Sequence, residues 1–342
     1  MDAAVRVEDL ARLDDDLLDE LGVASTRFYR AELERIQLAQ RGHGTTTYAV
    51  ARDAAGRAVG MLPVYVATPP FHPAADPGAL FGSSYAGASK LCVAGSYGLY
   101  ANYLTVGPHA PAGPIATALV ERARALARAA GCPHVMLPHL DAPQAGWLDA
   151  YEAAAAVECD KAVLAVSWRS FEDYVSWLPT RRRTPVRRER SRFRDSGVEV
   201  RERPMTEVAG ELAPLLAATE RRYGRTADPH QIEFHYTLLA MDLADDFVAL
   251  VAYRADRPVA CSLLLACGDR WISKAWGCDY TVAENQFLYF NLLFYEPVRL
   301  AIERKIAVLD YGTGALESKT QRGCVRERLR TVLVAAGDNA DR

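Results

Sequence analysis

The chain has 342 residues, 50% of them hydrophobic, with 43 Asp and Glu against 40 Lys and Arg and a formal net charge of -3. Length and apolar share fit about two folded domains and exclude a disordered chain. The balanced charge excludes a protein drawn to nucleic acid as a whole, so an anion site must come from where the cations are placed.

From the N-terminus, apolar spacing predicts helices over 8–20 and 27–41, with Leu10, Leu13, Leu17, Leu18 and Leu21 on one side of the first. Residues 45–52 and 59–67 read as two strands joined by a turn at 53–57. A loop rich in Gly, Pro and Ser covers 68–96, and a strand is expected around 98–106. An Ala/Leu helix over 114–130 stops at Gly131. A short buried strand at 135–137, a helix near 145–156 and a strand at 161–168 follow.

The second half repeats this order. Helices are expected over 206–222 and 230–243, and strands at 247–253, 259–266 and 271–278. A helix over 286–304, a strand at 306–310 and a last strand at 329–335 complete it. Pro297 removes one helical hydrogen bond and predicts a kink near 293–297. Hairpin, strand, helix, strand thus occurs twice, without obvious identity between the halves. The expectation is an α/β protein with α+β mixed sheets, made of two copies of one module. Their bounds read as 1–170, an Arg-rich connecting segment at 171–205, and 206–342.

The connecting segment is unusual. Residues 181–194 hold eight Arg and one Glu. Thr184 before Pro185 predicts a helix start, with Thr as N-cap and Pro at the first helical position. Arg183, Arg187, Arg190 and Arg194 fall at helical i, i+3 and i+4 spacing. Like charges so spaced repel by a few tenths of a kcal/mol per pair, roughly. Either an anionic partner or carboxylates elsewhere in the chain would relieve this.

The densest motif runs from Phe290 through Tyr295, Ala301-Ile302-Glu303-Arg304, Gly312, Gly314, Glu317 and Lys319 to Arg322-Gly323. This string resembles that of FemAB-like proteins, and the repeated module resembles the GNAT acyltransferase fold in tandem, as in Fem-type peptidyltransferases. Two departures stand out. Asn291 follows Phe290, and Thr331 and its neighbours bring no His after the last strand. The resemblance implies a bacterial acyltransferase that joins an activated aminoacyl or acyl group to an amine in cell-wall or specialised-metabolite biosynthesis. The donor it implies first is aminoacyl-tRNA, held by Arg181, Arg182, Arg183, Arg187, Arg188, Arg190 and Arg194. An acyl-CoA donor is the alternative, and a non-catalytic module binding RNA or an anionic lipid is a third reading.

Amide formation needs a deprotonated amine, a stabilised carbonyl oxygen and a held donor. Candidates for the chemistry are Glu317, Lys319, Arg322, Tyr311 and Tyr295. Lys319 draws attention because only five of the cations are Lys. Candidates for holding substrate are Lys274, Trp276, Asp279, Asp310, Gly312 and Gly314, with Asp279, Glu296, Asp310 and Glu317 as the carboxylates available for base work. No GxSxG nucleophile is present. The seven cysteines, an odd number without CxxC, fit reduced thiols and no zinc site. No tightly bound cofactor or metal is expected. A coenzyme A cradle would need a glycine-spaced loop before a helix; the stretch 107–114 carries three prolines and the wrong glycine spacing. The polar N-terminus and the lack of any run of ~20 apolar residues predict a cytoplasmic protein with no integral membrane association.

Overall fold

A computed structural model describes residues 5–23, 42–71, 75–97, 100–282 and 287–337. The chain divides into one unit of Met1–Asp160 with Glu327–Arg342, and another of Lys161–Arg326.

The first unit begins with strand β1 (Arg6–Leu10), helix α1 (Asp15–Glu20), and the hairpin β2 (Gly44–Arg52) and β3 (Ala58–Ala67). Then come α2 (Pro77–Phe81), β4 (Leu91–Ala94), β5 (Thr105–Val106), α3 (Ala112–Ala130), β6 (His134–Leu140), α4 (Ala142–Trp147) and β7 (Ala153–Ala165). The sheet order is β1-β2-β3-β4-β6, followed by the C-terminal strand Val325–Ala335 against β6. β4 and β6 pair in parallel, and α3 makes the crossover between them. Ile115, Leu119, Val120 and Ala123 of α3 bury one helical stripe against Ala49, Ala51, Leu62 and Val64 of the hairpin. Gly60 allows that approach, since a Cβ there would lie 2.3 Å from Ile115.

Several expectations are corrected here. The predicted helix 8–20 splits. Arg6–Leu10 pairs antiparallel with Tyr48–Arg52, and α1 starts only after Asp14, whose carboxylate accepts from the Leu17 N–H at 2.8 Å. Tertiary pairing has overridden the leucine spacing. The predicted helix 27–41 lies outside the described residues. The expected loop 68–96 contains β4, and the expected strand 98–106 reduces to Thr105–Val106. The helix placed near 145–156 begins earlier, under a capping box of Asp141 and Gln144, and ends at Trp147. Gly131 does close α3, with φ +75°.

The second unit takes the end of β7, then α5 (Phe171–Trp177), α6 (Thr180–Arg194), β8 (Glu199–Pro204), α7 (Met205–Arg222) and α8 (Pro229–Leu243). It continues with β9 (Phe247–Arg254), β10 (Arg257–Cys267) and β11 (Arg270–Cys278). Helix α9 is composite: Leu288–Phe290, a π-helical stretch Asn291–Tyr295, then Glu296–Arg304. β12 (Val308–Asp310) and α10 (Leu316–Thr320) close it. The sheet order is β8-β9-β10-β11-β12, with β7 residues Val163–Ala165 outside β12. β11 and β12 run parallel.

Thr184 and Pro185 do not start the Arg-rich helix. It begins at Thr180, and Pro185 sits inside. Pro185 falls in the second turn, so the one hydrogen bond it removes is that to the Arg181 carbonyl. The segment 171–205, expected as a connector, forms α5, α6 and β8 of the second unit. The last strand, expected in the C-terminal module, enters the first unit from Glu327 onward. Each unit's sheet is thus completed by a strand from the other half of the sequence.

Candidate active site

β11 and β12 pair over three residues only, from Arg270 with Val308 to Ile272 with Asp310. Beyond that point β11 runs on to Cys278 unpaired with β12, while β12 gives way to the turn Tyr311–Gly312. The two strands therefore part. Where they part, the β10–β11 register shifts: Leu263 faces Ala275 and Leu264 faces Ser273, leaving Lys274 as the extra, bulged residue. A bulge re-aims side chains and frees backbone groups beside such an opening.

Aromatic side chains follow one another across this region. Trp276 meets Tyr289 edge-on at 5.3 Å, Tyr289 lies 6.1 Å from Phe294, and Phe294 lies 4.7 Å from Tyr311. Burial pushes the Tyr289 phenol up to about 12 and the Tyr311 phenol well above its ordinary range. The Tyr311 hydroxyl is buried without a hydrogen-bond partner among the described residues. Its backbone is fixed: the Tyr311 N–H donates to the Ala162 carbonyl at 2.9 Å.

The turn after β12 is pinned from several sides. Asp310 is buried and accepts from Lys161 at 3.2 Å, from Arg270 at 3.4 Å and from the Gly312 N–H at 3.0 Å. Gly312 has φ +66°, the left-handed region that glycine enters at little cost. The Lys319 ammonium donates to the Tyr311 carbonyl, and to the Gly312 carbonyl at 3.3 Å. Lys319 is 4% exposed, and burial lowers its pKa from the usual 10.5 to about 8.

Arg322 is the centre of a second buried cluster. It donates to Glu189 at 3.0 Å, to the Tyr295 hydroxyl at 3.1 Å and to the Ser318 carbonyl at 3.0 Å. Its guanidinium stacks over Phe290, 3.4 Å from the ring centre. The Tyr295 hydroxyl donates to Glu189, and Tyr174 donates to the Arg322 carbonyl at 2.9 Å. Burial pushes the Tyr295 phenol up. The π-helical stretch lies just before Pro297, where the Glu296 N–H reaches back to the Asn291 carbonyl. The expected kink is thus taken up as one widened turn. Asn291 sits there and donates to the Phe287 and Glu189 carbonyls.

The structure thus brings together Tyr295, Tyr311, Asp310, Gly312, Lys319 and Arg322, all near the end of β12. Lys319 and Arg322, expected to take part in the chemistry, are buried, and protein groups accept from both. On the β11 side stand Trp276, against Tyr289, and the bulge at Lys274. Glu317 is exposed and accepts from Gln321 at 3.2 Å, and Gly314 is exposed in open space. Asp279 belongs to a separate turn. It accepts from Thr281 and pairs with Arg257 at 2.9 Å. The Thr281 hydroxyl foremost, against some burial, holds that carboxyl below its ordinary value.

The basic face read from the sequence is not wholly open. Arg183 donates to the Leu178 carbonyl at 2.9 Å, Arg187 pairs with Glu172, and Arg190 pairs with Glu296 and lies over Phe171. Burial pushes the Glu296 carboxyl up, but Arg190 and Arg299 outweigh it and keep it below the usual range. Arg181, Arg182, Arg188 and Arg194 have no ion-pair partner among the described residues. Sequence reasoning missed Glu189 and Lys161. Glu189 had a signal: with Val186 and Phe193 it falls on the one buried stripe of α6.

A family model described as FemAB-like, peptidoglycan biosynthesis/recognition, matches residues 99–336. The chain belongs to the FemAB-like family. No curated protein matches the sequence. Among solved structures, FemX is 12% identical with a TM-score of 0.63, over 94% of this chain and 96% of that one. L-PGS from Bacillus licheniformis is 9% identical with a TM-score of 0.56, over 95% and 91%. A tandem GNAT protein from the clavulanic acid biosynthesis pathway is 14% identical with a TM-score of 0.50, over 98% and 100%. These likenesses establish the tandem GNAT-like α/β fold of this FemAB-like chain. Among the described residues no helix is long and apolar enough to cross a membrane, and no His/Cys/Asp/Glu group could hold a metal ion.

The Lys319 environment gives a pH prediction. Its folded pKa of about 8 lies below the 10.5 of the unfolded chain. Between these values the unfolded state holds the proton that the folded state has lost, so this group makes stability rise from pH 8 to 10.5, by at most about 3 kcal/mol. Below pH 8 it adds no slope. Denaturant midpoints across that range should show the rise in the parent and a flatter curve in Lys319→Met.

Proposed function

We propose that this FemAB-like protein is an aminoacyltransferase. The amine nitrogen of an acceptor attacks the ester carbonyl of an aminoacyl-tRNA in the opening between β11 and β12. A C–N bond forms, the C–O bond to the ribose breaks, and the amine proton passes to the leaving oxygen. The acceptor is an amine of a cell-wall precursor or a specialised metabolite. Direct attack is favoured by the state of the thiols. Burial foremost raises the pKa values of Cys92, Cys132, Cys159, Cys261, Cys278 and Cys324, so none of these is a ready thiolate. In this reading Lys319 and Arg322 hold the turn and α10 in place, and Tyr311 and the bulge at Lys274 border the reacting groups.

The observation that carries the choice of donor is the set Arg181, Arg182, Arg188 and Arg194, unpaired on a helix whose other arginines have found partners. Such cations suit a phosphate backbone. An acyl-CoA donor would need a glycine-spaced loop before a helix, and the sequence between β11 and α9 does not supply one. That connection, 279–287, contains no glycine and carries Asp279 and Glu284. Reversing the four arginines to Glu should weaken tRNA binding by about 100-fold or more at moderate salt, with the melting temperature nearly unchanged. Acetyl-CoA titrated calorimetrically into the parent should bind no tighter than about 1 mM. Unchanged tRNA binding in the variant, or micromolar acetyl-CoA binding, would move the reading to the thioester donor.

A further inference from the structure

We infer that Trp177 is a stacking platform for an unpaired base at the end of the bound RNA; this rests on the aminoacyl-tRNA reading. Trp177 ends α5, three residues before α6 begins, and is 54% exposed. Its ring is nonetheless held firmly. Gly323 lies against the Cζ3–Cη2 edge: a Cβ there would sit 2.4 Å from Cζ3, and the residue has φ +91°, so glycine is required twice over. Trp168 supports the ring from the side, with centroids 5.0 Å apart and planes at 56°. Trp168 in turn packs on the buried Tyr174, at 4.9 Å. A ring held in this way loses little entropy when a base stacks on it.

The surroundings specify the ligand. Arg181 and Arg182, both without an ion-pair partner, lie in the first turn of the following helix, and the exposed Arg169 follows Trp168. An aromatic face with guanidinium groups a few residues away in the chain suits single-stranded nucleic acid, whose bases stack while its phosphates pair. A membrane surface fits less well. Glu172, Asp173 and Ser176 of the same helix are exposed and polar, and Trp177 is the one large exposed apolar side chain on α5 and α6.

The test uses fluorescence anisotropy with two RNAs of one sequence, a hairpin with an unpaired 3′ tail and its blunt counterpart. The full-length parent is compared with Trp177→Leu, which keeps apolar bulk over Gly323, and with Trp177→Phe, which keeps a stacking ring. Trp177→Leu should bind the tailed RNA about tenfold more weakly, Trp177→Phe close to the parent, and both should bind blunt RNA as the parent does. The inference fails if Trp177→Leu binds the tailed RNA like the parent, or loses blunt RNA to the same degree. It fails equally if the loss appears on phosphatidylglycerol vesicles instead of RNA. If reversal of the four α6 arginines abolishes RNA binding and Trp177→Leu changes nothing, only the stacking role falls. If the parent binds neither RNA, the donor reading falls with it.

Discussion

Arg322→Ala should destabilise the second unit by about 3–5 kcal/mol, because it leaves the buried Glu189 carboxylate without its cation. Glu189 and Arg322 are 8% and 6% exposed, so water cannot replace the lost partner. The same change also removes the donors to the Tyr295 hydroxyl and the Ser318 carbonyl, and uncovers Phe290. Glu189→Gln should cost less. It remains able to accept from Arg322 and Tyr295, although the guanidinium then stays buried with a neutral partner. The pair Glu189→Leu with Arg322→Met should lose less than the two single losses together, since neither charge is then stranded. Chemical denaturation of the parent, Glu189→Leu, Arg322→Met and the double variant gives the cycle. Parent-like midpoints for Arg322→Ala would show that this cluster does not hold α6, α9 and α10 together.

The sequence showed the elements whose periodicity is local. The stripe of α3 and its Gly131 stop, the hairpins at β2–β3 and β9–β10, and helices α7 and α8 follow from spacing and turn residues alone. Pairing between distant segments was not legible. Leu10 belongs to both a helical leucine pattern and a strand, and only Tyr48 opposite it decides. β8 carries four charged residues with only Val200 and Pro204, so no apolar alternation marks it beside the Arg-rich helix. At the candidate site, the motif pointed to the right neighbourhood, since Tyr295, Asp310, Tyr311, Gly312, Lys319 and Arg322 do gather there. Their bonding was hidden. The acceptors that occupy Lys319 are backbone carbonyls, which no residue type announces. The partner of Arg322 comes from a helix more than a hundred residues earlier, where it stands as one Glu among eight Arg.

The exchange of terminal strands leads to the other large effect. A fragment ending near residue 170, the boundary that the sequence suggests for the N-terminal module, should not fold by itself. It would lack the strand that pairs Leu140, Leu137, Met136 and Val135 of β6 with Arg330 through Val334. Leu329, Val332, Leu333 and Val334 are 1%, 7%, 1% and 4% exposed, and their loss would remove about 6–12 kcal/mol of apolar burial. That is comparable to the whole stability of a domain, about 5–15 kcal/mol. It would also strip Arg124 and Arg128 of α3 of the carbonyls of Ala335, Ala336 and Gly337 that they bind, and leave β6 as a bare edge open to aggregation. The fragment should therefore elute as aggregate and melt without a cooperative transition by circular dichroism. Appending residues 325–337 through a flexible Gly/Ser linker should restore both monomer elution and a sharp melt, because the missing strand is then supplied in the same chain. A cooperative melt of the bare fragment would mean that β6 and α3 hold together without the C-terminal strand.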